Sequence, residues 1–190
     1  MRPAAPAAEA PDGLVYRPDF LTAGEEAELL AVVEEIDFVE VRMRGRAARR
    51  TVRHFGYHYG YDSWELTPAD PVPDSLAWLA ERAGALGGVP GEELAEVLVS
   101  RYPPGAGIGW HRDAPMFGPV VVGVSLGASC TMRFRRQAGG VHRTFAMELA
   151  PRSAYVLSGA ARWSWQHAIP PVSEQRYSIT FRTVREHAKQ

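Results

Sequence analysis

Behind Thr22, the apolar residues Ala27, Leu29, Leu30, Val33 and Ile36 recur at helical spacing with polar residues between them. Thr22 followed by Glu25 has the form of a capping box, so an amphipathic helix is expected over 23–36. A second helix is expected over 74–86, with Leu76, Leu79, Ala83 and Leu86 on one face and Gly87, Gly88, Pro90 and Gly91 ending it. From about residue 95 the helical period gives way to short alternating runs. Strands are expected at 95–102, 119–126, 130–136, 142–148, 154–158, 162–168 and 176–184. Pro103-Pro104-Gly105, Gly139-Gly140 and Pro170-Pro171 punctuate them. The chain therefore reads as two helices and a basic, arginine-rich stretch, followed by an all-β unit of sandwich or barrel type.

Composition narrows the class. The 190 residues suit one domain, and 46% apolar with 23% charged residues excludes wholesale disorder, collagen and coiled coil. A formal charge of -1 excludes a globally basic nucleic-acid binder but not a locally basic one. No uninterrupted apolar run is long enough to span a membrane, so no membrane partner is expected. The single cysteine, Cys130, has no internal partner and lies in an apolar run, as in a packed thiol in a reducing compartment. Residues 1–13 are mostly Ala and Pro and lack the apolar core of a secretory signal. They read as a disordered tail on a cytoplasmic protein, ahead of a single domain over 14–190.

The last expected strand carries the first chemical signal. Tyr177, Ile179 and Phe181 alternate with Arg176, Ser178, Thr180 and Arg182, so two arginines and two hydroxyls share one side. Either that side is a solvated face, or it faces inward and the guanidinium groups require an anion, for which a carboxylate or phosphate suits their planar fork. His111-Arg112-Asp113 is the second signal, because residues two apart on a strand can grip one cation. Alone it is weak, as is His167 among the aromatics of Trp163-Ser164-Trp165-Gln166-His167. Together they are stronger: His-x-Asp, a His 54 residues on and an arginine nine further all fall in the β region. Two His and a carboxylate form the facial triad of non-haem Fe(II) sites, with positions left open for cosubstrate and oxygen.

On these residues the chain resembles the AlkB family of Fe(II)- and 2-oxoglutarate-dependent dioxygenases. The resemblance covers roughly 14–185 and is carried by Gly107-Ile108-Gly109-Trp110-His111-Arg112-Asp113, Val124-Ser125-Leu126-Gly127 and Arg176-Tyr177-Ser178-Ile179-Thr180-Phe181-Arg182. It implies a mainly β fold with flanking helices: a double-stranded β-helix, or jelly roll, over 95–185 behind helices and a nucleotide-recognition lid over 14–94. It implies iron ligation by His111, Asp113 and His167. It also implies that Arg176 and Tyr102 hold the distal carboxylate of 2-oxoglutarate, with Ser100 and Ser178 nearby and Arg182 toward the other end. The family commonly has Asn where this chain has Ser100 and Ser178, so those contacts are shortened and expected to run through water. Pro115 stands where some members carry an acidic residue that recognises the base.

Arg42, Arg44, Arg46, Arg49, Arg50 and Arg53 crowd twelve residues and precede Phe55, Tyr57, Tyr59, Tyr61 and Trp64. Without the family this is a solvated basic loop beside a packed aromatic strand. With it, the stretch is the lid, where arginines hold phosphates and an aromatic stacks on a flipped base. Arg49, Arg50, Arg53, Tyr57, Tyr59 and Arg112 are the expected substrate contacts. The reading is a monomeric dioxygenase using Fe(II), 2-oxoglutarate and O2 to remove N-alkyl groups from nucleobases of single-stranded or locally opened DNA or RNA, as in alkylation damage repair. The alternatives are oxidation of a modified tRNA base or a protein side chain by the same chemistry, and a non-catalytic nucleic-acid-binding jelly-roll module. Iron affinity is expected to fall in acid near the ordinary imidazole pKa of about 6.5.

Overall fold

A computed structural model describes residues 9–43, 46–60 and 65–185. In chain order the elements are β1 (Leu14–Arg17), α1 (Ala23–Glu34), β2 (Val39–Met43), β3 (Arg46–Phe55), β4 (Tyr57–Tyr59), β5 (Leu66–Pro68), α2 (Asp74–Gly87), β6 (Glu96–Tyr102), β7 (Ile108–His111), β8 (Phe117–Gly127), β9 (Cys130–Ala138), β10 (Val141–Leu149), β11 (Ala154–Leu157), α3 (Gly159–Trp163), β12 (Gln166–Ile169) and β13 (Arg176–Val184). Among the described residues, seven strands form a major sheet in the order β1-β11-β8-β13-β6-β3-β2. Four form a minor sheet, β10-β9-β12-β7, and β4 pairs with β5. All the pairings are antiparallel, and the fold is the expected jelly roll.

The capping box forms: the Thr22 backbone N–H donates to Glu25 Oε2 at 2.8 Å, and the Glu25 N–H donates to Thr22 Oγ1 at 3.2 Å. Gly88, at φ +72°, closes α2 with a left-handed residue that a side chain would strain. Both helices cover one face of the major sheet. Leu29, Val33, Leu76, Leu79 and Ala83 pack there with Val97, Val99, Val122, Val124, Ile179 and Phe181. Alternation sends the other side chains of the same strands inward. A second core of Met132, Phe134, Leu149, Tyr155, Leu157 and Trp165 fills part of the space between the sheets. Every residue of β13 is buried, so its polar side is an inward face and not a solvated one. Gly123 on β8 is needed for this packing: a Cβ there would lie 2.2 Å from the Tyr155 ring.

Five stretches depart from expectation. The arginine-rich stretch is the β2–β3 hairpin at the edge of the major sheet, where β3 pairs with β6. Arginines on both faces of β3 hide the alternation that marks a strand. Residues 162–168 split into α3 and β12, because helix-forming Ala160 and Ala161 follow Ser158 and turn the chain. The short strands β1 and β7 lack the length for a clear period. Order also begins before Leu14: Pro11 is buried, the Ala161 N–H donates to the Asp12 carbonyl at 2.8 Å, and the Ser158 N–H donates to that of Gly13 at 3.0 Å. Residues 1–8 of the expected tail, Arg44, the side chain of Arg46, Tyr61 and Trp64 lie outside the described residues.

Candidate active site between the sheets

A cavity of about 730 Å³ opens between the two sheets. Strand pairing sets His167 of β12 directly opposite His111 of β7, and their ring centroids are 4.3 Å apart. Asp113 lies just past the end of β7, in the loop before β8, and its Oδ2 is 3.6 Å from His167 Nε2. The three residues named from sequence thus meet at one spot. His111 Nδ1 is 2.8 Å from the Gly109 carbonyl, an acceptor, so Nδ1 carries the proton and Nε2 keeps its lone pair. His167 Nδ1 is buried without a hydrogen-bond partner among the described residues.

The electrostatics favour ligation. Burial, then the neighbouring His111, pushes His167 down to about 3. His111 opens onto the cavity, yet its enclosure also lowers its pKa, against the pull of Asp113. Both imidazoles are therefore neutral near pH 7. Burial alone would raise Asp113, but the charge of Arg182, with Arg162 adding to it, holds its carboxyl well below the usual range.

Asp113 is held from two sides. Arg182 donates from Nε to Asp113 Oδ1 at 2.7 Å and from Nη1 to Glu96 Oε2 at 2.8 Å. Glu96 is fully buried, and its Oε1 lies 3.0 Å from His54 Nδ1, which completes a chain His54–Glu96–Arg182–Asp113. Arg162 of α3 donates to the backbone carbonyls of Asp113, Ala114, Phe117 and Gly118 at 2.8–3.2 Å and fixes the loop that carries Asp113. Burial lowers the Arg162 pKa to about 10. Glu96, His54 and Arg162 were not singled out from sequence. Glu96 had a readable signal, since it stands at even spacing from Ser100 and Tyr102; Arg162 had none.

The expected cosubstrate residues also converge. Tyr102, Ser100, Arg176, Ser178 and Arg182 all line the cavity, and β13 pairs Arg176 with Tyr102 and Ser178 with Ser100. Arg176 is 1% exposed. Its Nη2 donates to Ser125 Oγ at 2.9 Å and its guanidinium lies 5.1 Å from the Tyr102 ring centre, but Nε and Nη1 are buried with no hydrogen-bond partner among the described residues. The expected substrate residues scatter. Arg49 is exposed. Arg53 is ion-paired with Asp70, and Tyr59 is buried edge-on against Phe117. Tyr57 is half-buried beside the same cluster. Arg112 is exposed, with Nη1 donating to the Trp163 carbonyl at 3.3 Å. Arg50 is no surface phosphate contact: neighbours on a strand point to opposite faces, so Arg49 faces out while Arg50, 4% exposed, faces the cavity.

Two imidazoles and a carboxylate inside a jelly roll, beside a buried guanidinium with donors to spare, define a class of non-haem metal oxygenase that takes an anionic cosubstrate. The chain belongs to the 2OG-Fe(II) oxygenase superfamily, whose family model it matches over residues 13–182. It is 29% identical over 210 residues to a protein of Arabidopsis thaliana named as an alkylated DNA repair protein ALKBH8 homolog, covering 92% of this chain and 59% of that one. It is 30% identical over 166 residues to the Xenopus tropicalis tRNA (carboxymethyluridine(34)-5-O)-methyltransferase alkbh8, covering 85% of this chain and 26% of the other. The chain thus spans well under two thirds of either relative. It is 28% identical over 149 residues to the alpha-ketoglutarate-dependent dioxygenase AlkB of Escherichia coli, covering 68% of this chain and 67% of that one. Among solved structures, OsALKBH1 shares the fold with a TM-score of 0.72 at 14% identity, over 92% of this chain and 98% of the other.

The family implies Fe(II), 2-oxoglutarate and O2, and the residues present fit them. The described residues include no group of three His, Cys, Asp or Glu already drawn together to hold a metal ion, and Asp113 Oδ1 accepts from Arg182. The donor chemistry is nonetheless that of an Fe(II) site: two neutral imidazoles and one ionised carboxylate on one wall. The two Arg176 donors that have no partner among the described residues have the chemistry to take a carboxylate.

Proposed function

We propose that the chain is an AlkB-type dioxygenase that oxidises N-alkyl groups on nucleobases of single-stranded or locally opened DNA or RNA. The observation that carries this reading is the pair of orphaned Arg176 donors in the same cavity as His111, Asp113 and His167. Fe(II), when bound with 2-oxoglutarate and O2, supplies the oxidising power: one oxygen atom enters a substrate C–H bond, and 2-oxoglutarate leaves as succinate and CO2. An N-alkyl carbon that gains a hydroxyl separates from nitrogen as an aldehyde.

In this reading His111, Asp113 and His167 hold the metal. The imidazoles are neutral before metal arrives, so binding need not displace their protons. Glu96 fixes Arg182, and Arg182 with Arg162 fixes Asp113, which limits the carboxylate to one orientation. Arg176 and Tyr102 receive the distal carboxylate, with Ser100 and Ser178 beside them. The walls of the cavity exclude bulk water and so strengthen these charge-assisted bonds. Exposed Arg49 and Arg112 are the strand-side contacts, and the protein acts as a cytoplasmic monomer.

A second reading keeps this chemistry and changes the substrate to a modified tRNA base. It is favoured by the relatives named for tRNA carboxymethyluridine and by Pro115, which offers no side-chain hydrogen bond to a damaged base. The test is oxygen-dependent succinate formation from 2-oxoglutarate with Fe(II), followed by mass spectrometry of alkylated DNA and RNA oligomers and of tRNA. Loss of an alkyl group from an oligomer supports the first reading. A gain of one oxygen on tRNA alone supports the second, and no succinate with any substrate overturns both.

A further inference from the structure

The cavity holds more positive charge than Asp113 and Glu96 can balance. Arg182 is paired with both of them. Arg162 is surrounded by four backbone carbonyls. Among the described residues, Arg50 and Arg176 have neither kind of partner. Arg50 is 4% exposed, and its one hydrogen bond among the described residues runs from Nη1 to Ser100 Oγ at 3.1 Å. Its guanidinium lies 5.9 Å from the centre of the Tyr102 ring, and that of Arg176 lies 5.1 Å from the same centre. Strand order explains the arrangement: β6, which carries Tyr102, lies between β3 with Arg50 and β13 with Arg176. Two like charges gathered at one tyrosine in a buried pocket repel each other, and a neutral hydroxyl does not offset that. An anion between them does.

We infer that Arg50 and Arg176 form a two-arginine clamp on the distal carboxylate of the cosubstrate, with Tyr102 between them. Arg50 thereby sets the preference for a dicarboxylic 2-oxoacid over a monocarboxylic one. The inference rests on the dioxygenase reading and adds a residue to its cosubstrate site. The short Ser100 side chain steadies the Arg50 guanidinium at the cavity wall. Arg49 is exposed and so cannot share this task.

The test is calorimetric titration of the full Mn(II)-loaded protein with 2-oxoglutarate and with 2-oxopentanoate, which has a methyl group in place of the distal carboxylate. Arg50→Met keeps the length and removes the charge. It is expected to weaken 2-oxoglutarate binding on the order of tenfold to a hundredfold, the span of a charge-assisted bond, and to leave 2-oxopentanoate within about twofold. Arg50→Lys keeps the charge without the fork and is expected to fall between wild type and Arg50→Met; it serves alone if Arg50→Met does not fold. Unchanged 2-oxoglutarate affinity in a folded variant overturns the clamp, as does an equal loss for both acids. A weakened oligonucleotide KM with unchanged cosubstrate binding also overturns it and moves Arg50 to the substrate. If wild type itself binds no 2-oxoglutarate, the dioxygenase reading fails and the clamp with it; binding by wild type with no effect at Arg50 removes the clamp alone.

Discussion

Arg162, beneath the loop that carries Asp113, and Arg176, on the cavity floor, are the largest side chains buried almost completely, at 2% and 1% exposure. Their surroundings differ. Arg162 gives four of its five N–H donors to backbone carbonyls, and each of its three nitrogens has a partner. Arg176 has one hydroxyl partner and two orphaned nitrogens. Burial of a charge thus takes two forms in one molecule: a satisfied guanidinium is part of the architecture, and an unsatisfied one is, in the proposed function, half of a binding site.

Removing each arginine separates the two forms. Arg162→Ala removes a donor from four carbonyls and frees the Asp113 loop, and is expected to cost about 3 kcal/mol or more in urea unfolding. A variant as stable as wild type would break the distinction. Acid probes the same wall. His111 and His167 have folded pKa values below their unfolded ones, so the unfolded chain binds more protons as pH drops below about 6.5. Stability of the metal-free protein is therefore full above that pH and falls from 6.5 toward the His167 value of about 3, by a few kcal/mol. Urea midpoints that stay flat between pH 6.5 and 4 would contradict it. Burial likewise shifts the expected acid loss of metal affinity to lower pH than a free imidazole gives.

Arg176→Met is expected to leave the unfolding free energy within about 1 kcal/mol of wild type, since it removes a charge that no carboxylate among the described residues pairs with. The same variant should raise the 2-oxoglutarate KM roughly tenfold to a hundredfold. A large stability loss with an unchanged KM would place Arg176 beside Arg162 as architecture. The smallest effect belongs to exposed Arg49. Arg49→Ala should flatten the salt slope of single-strand binding by about 0.7 and leave cosubstrate binding untouched. A slope equal to that of wild type would show that Arg49 touches no phosphate.

Much of this was legible in the chain itself. Local patterns determined the capping box at Thr22, the stop at Gly88, Leu29 and Val33 as buried positions of α1 (Ala27, expected on that face, is exposed), the apolar face of α2, and the alternation in β13 that puts Arg176 and Arg182 on one side. His111, Asp113 and His167 were recognisable by residue type and spacing, and the structure brings them to one wall. Only the tertiary structure decided which side of β13 is inside, because alternation marks two faces without saying what covers either. It also turned Arg50 away from its neighbours Arg49 and Arg53: a run of arginines reads as one basic patch until the pleat divides it. The partners of Glu96 and Arg162 could not be read locally either, since each lies more than 40 positions away in the chain. Hydrogen bonds of that span exist only after the sheets have closed around the cavity, when loss of water makes every buried donor find an acceptor or await a ligand.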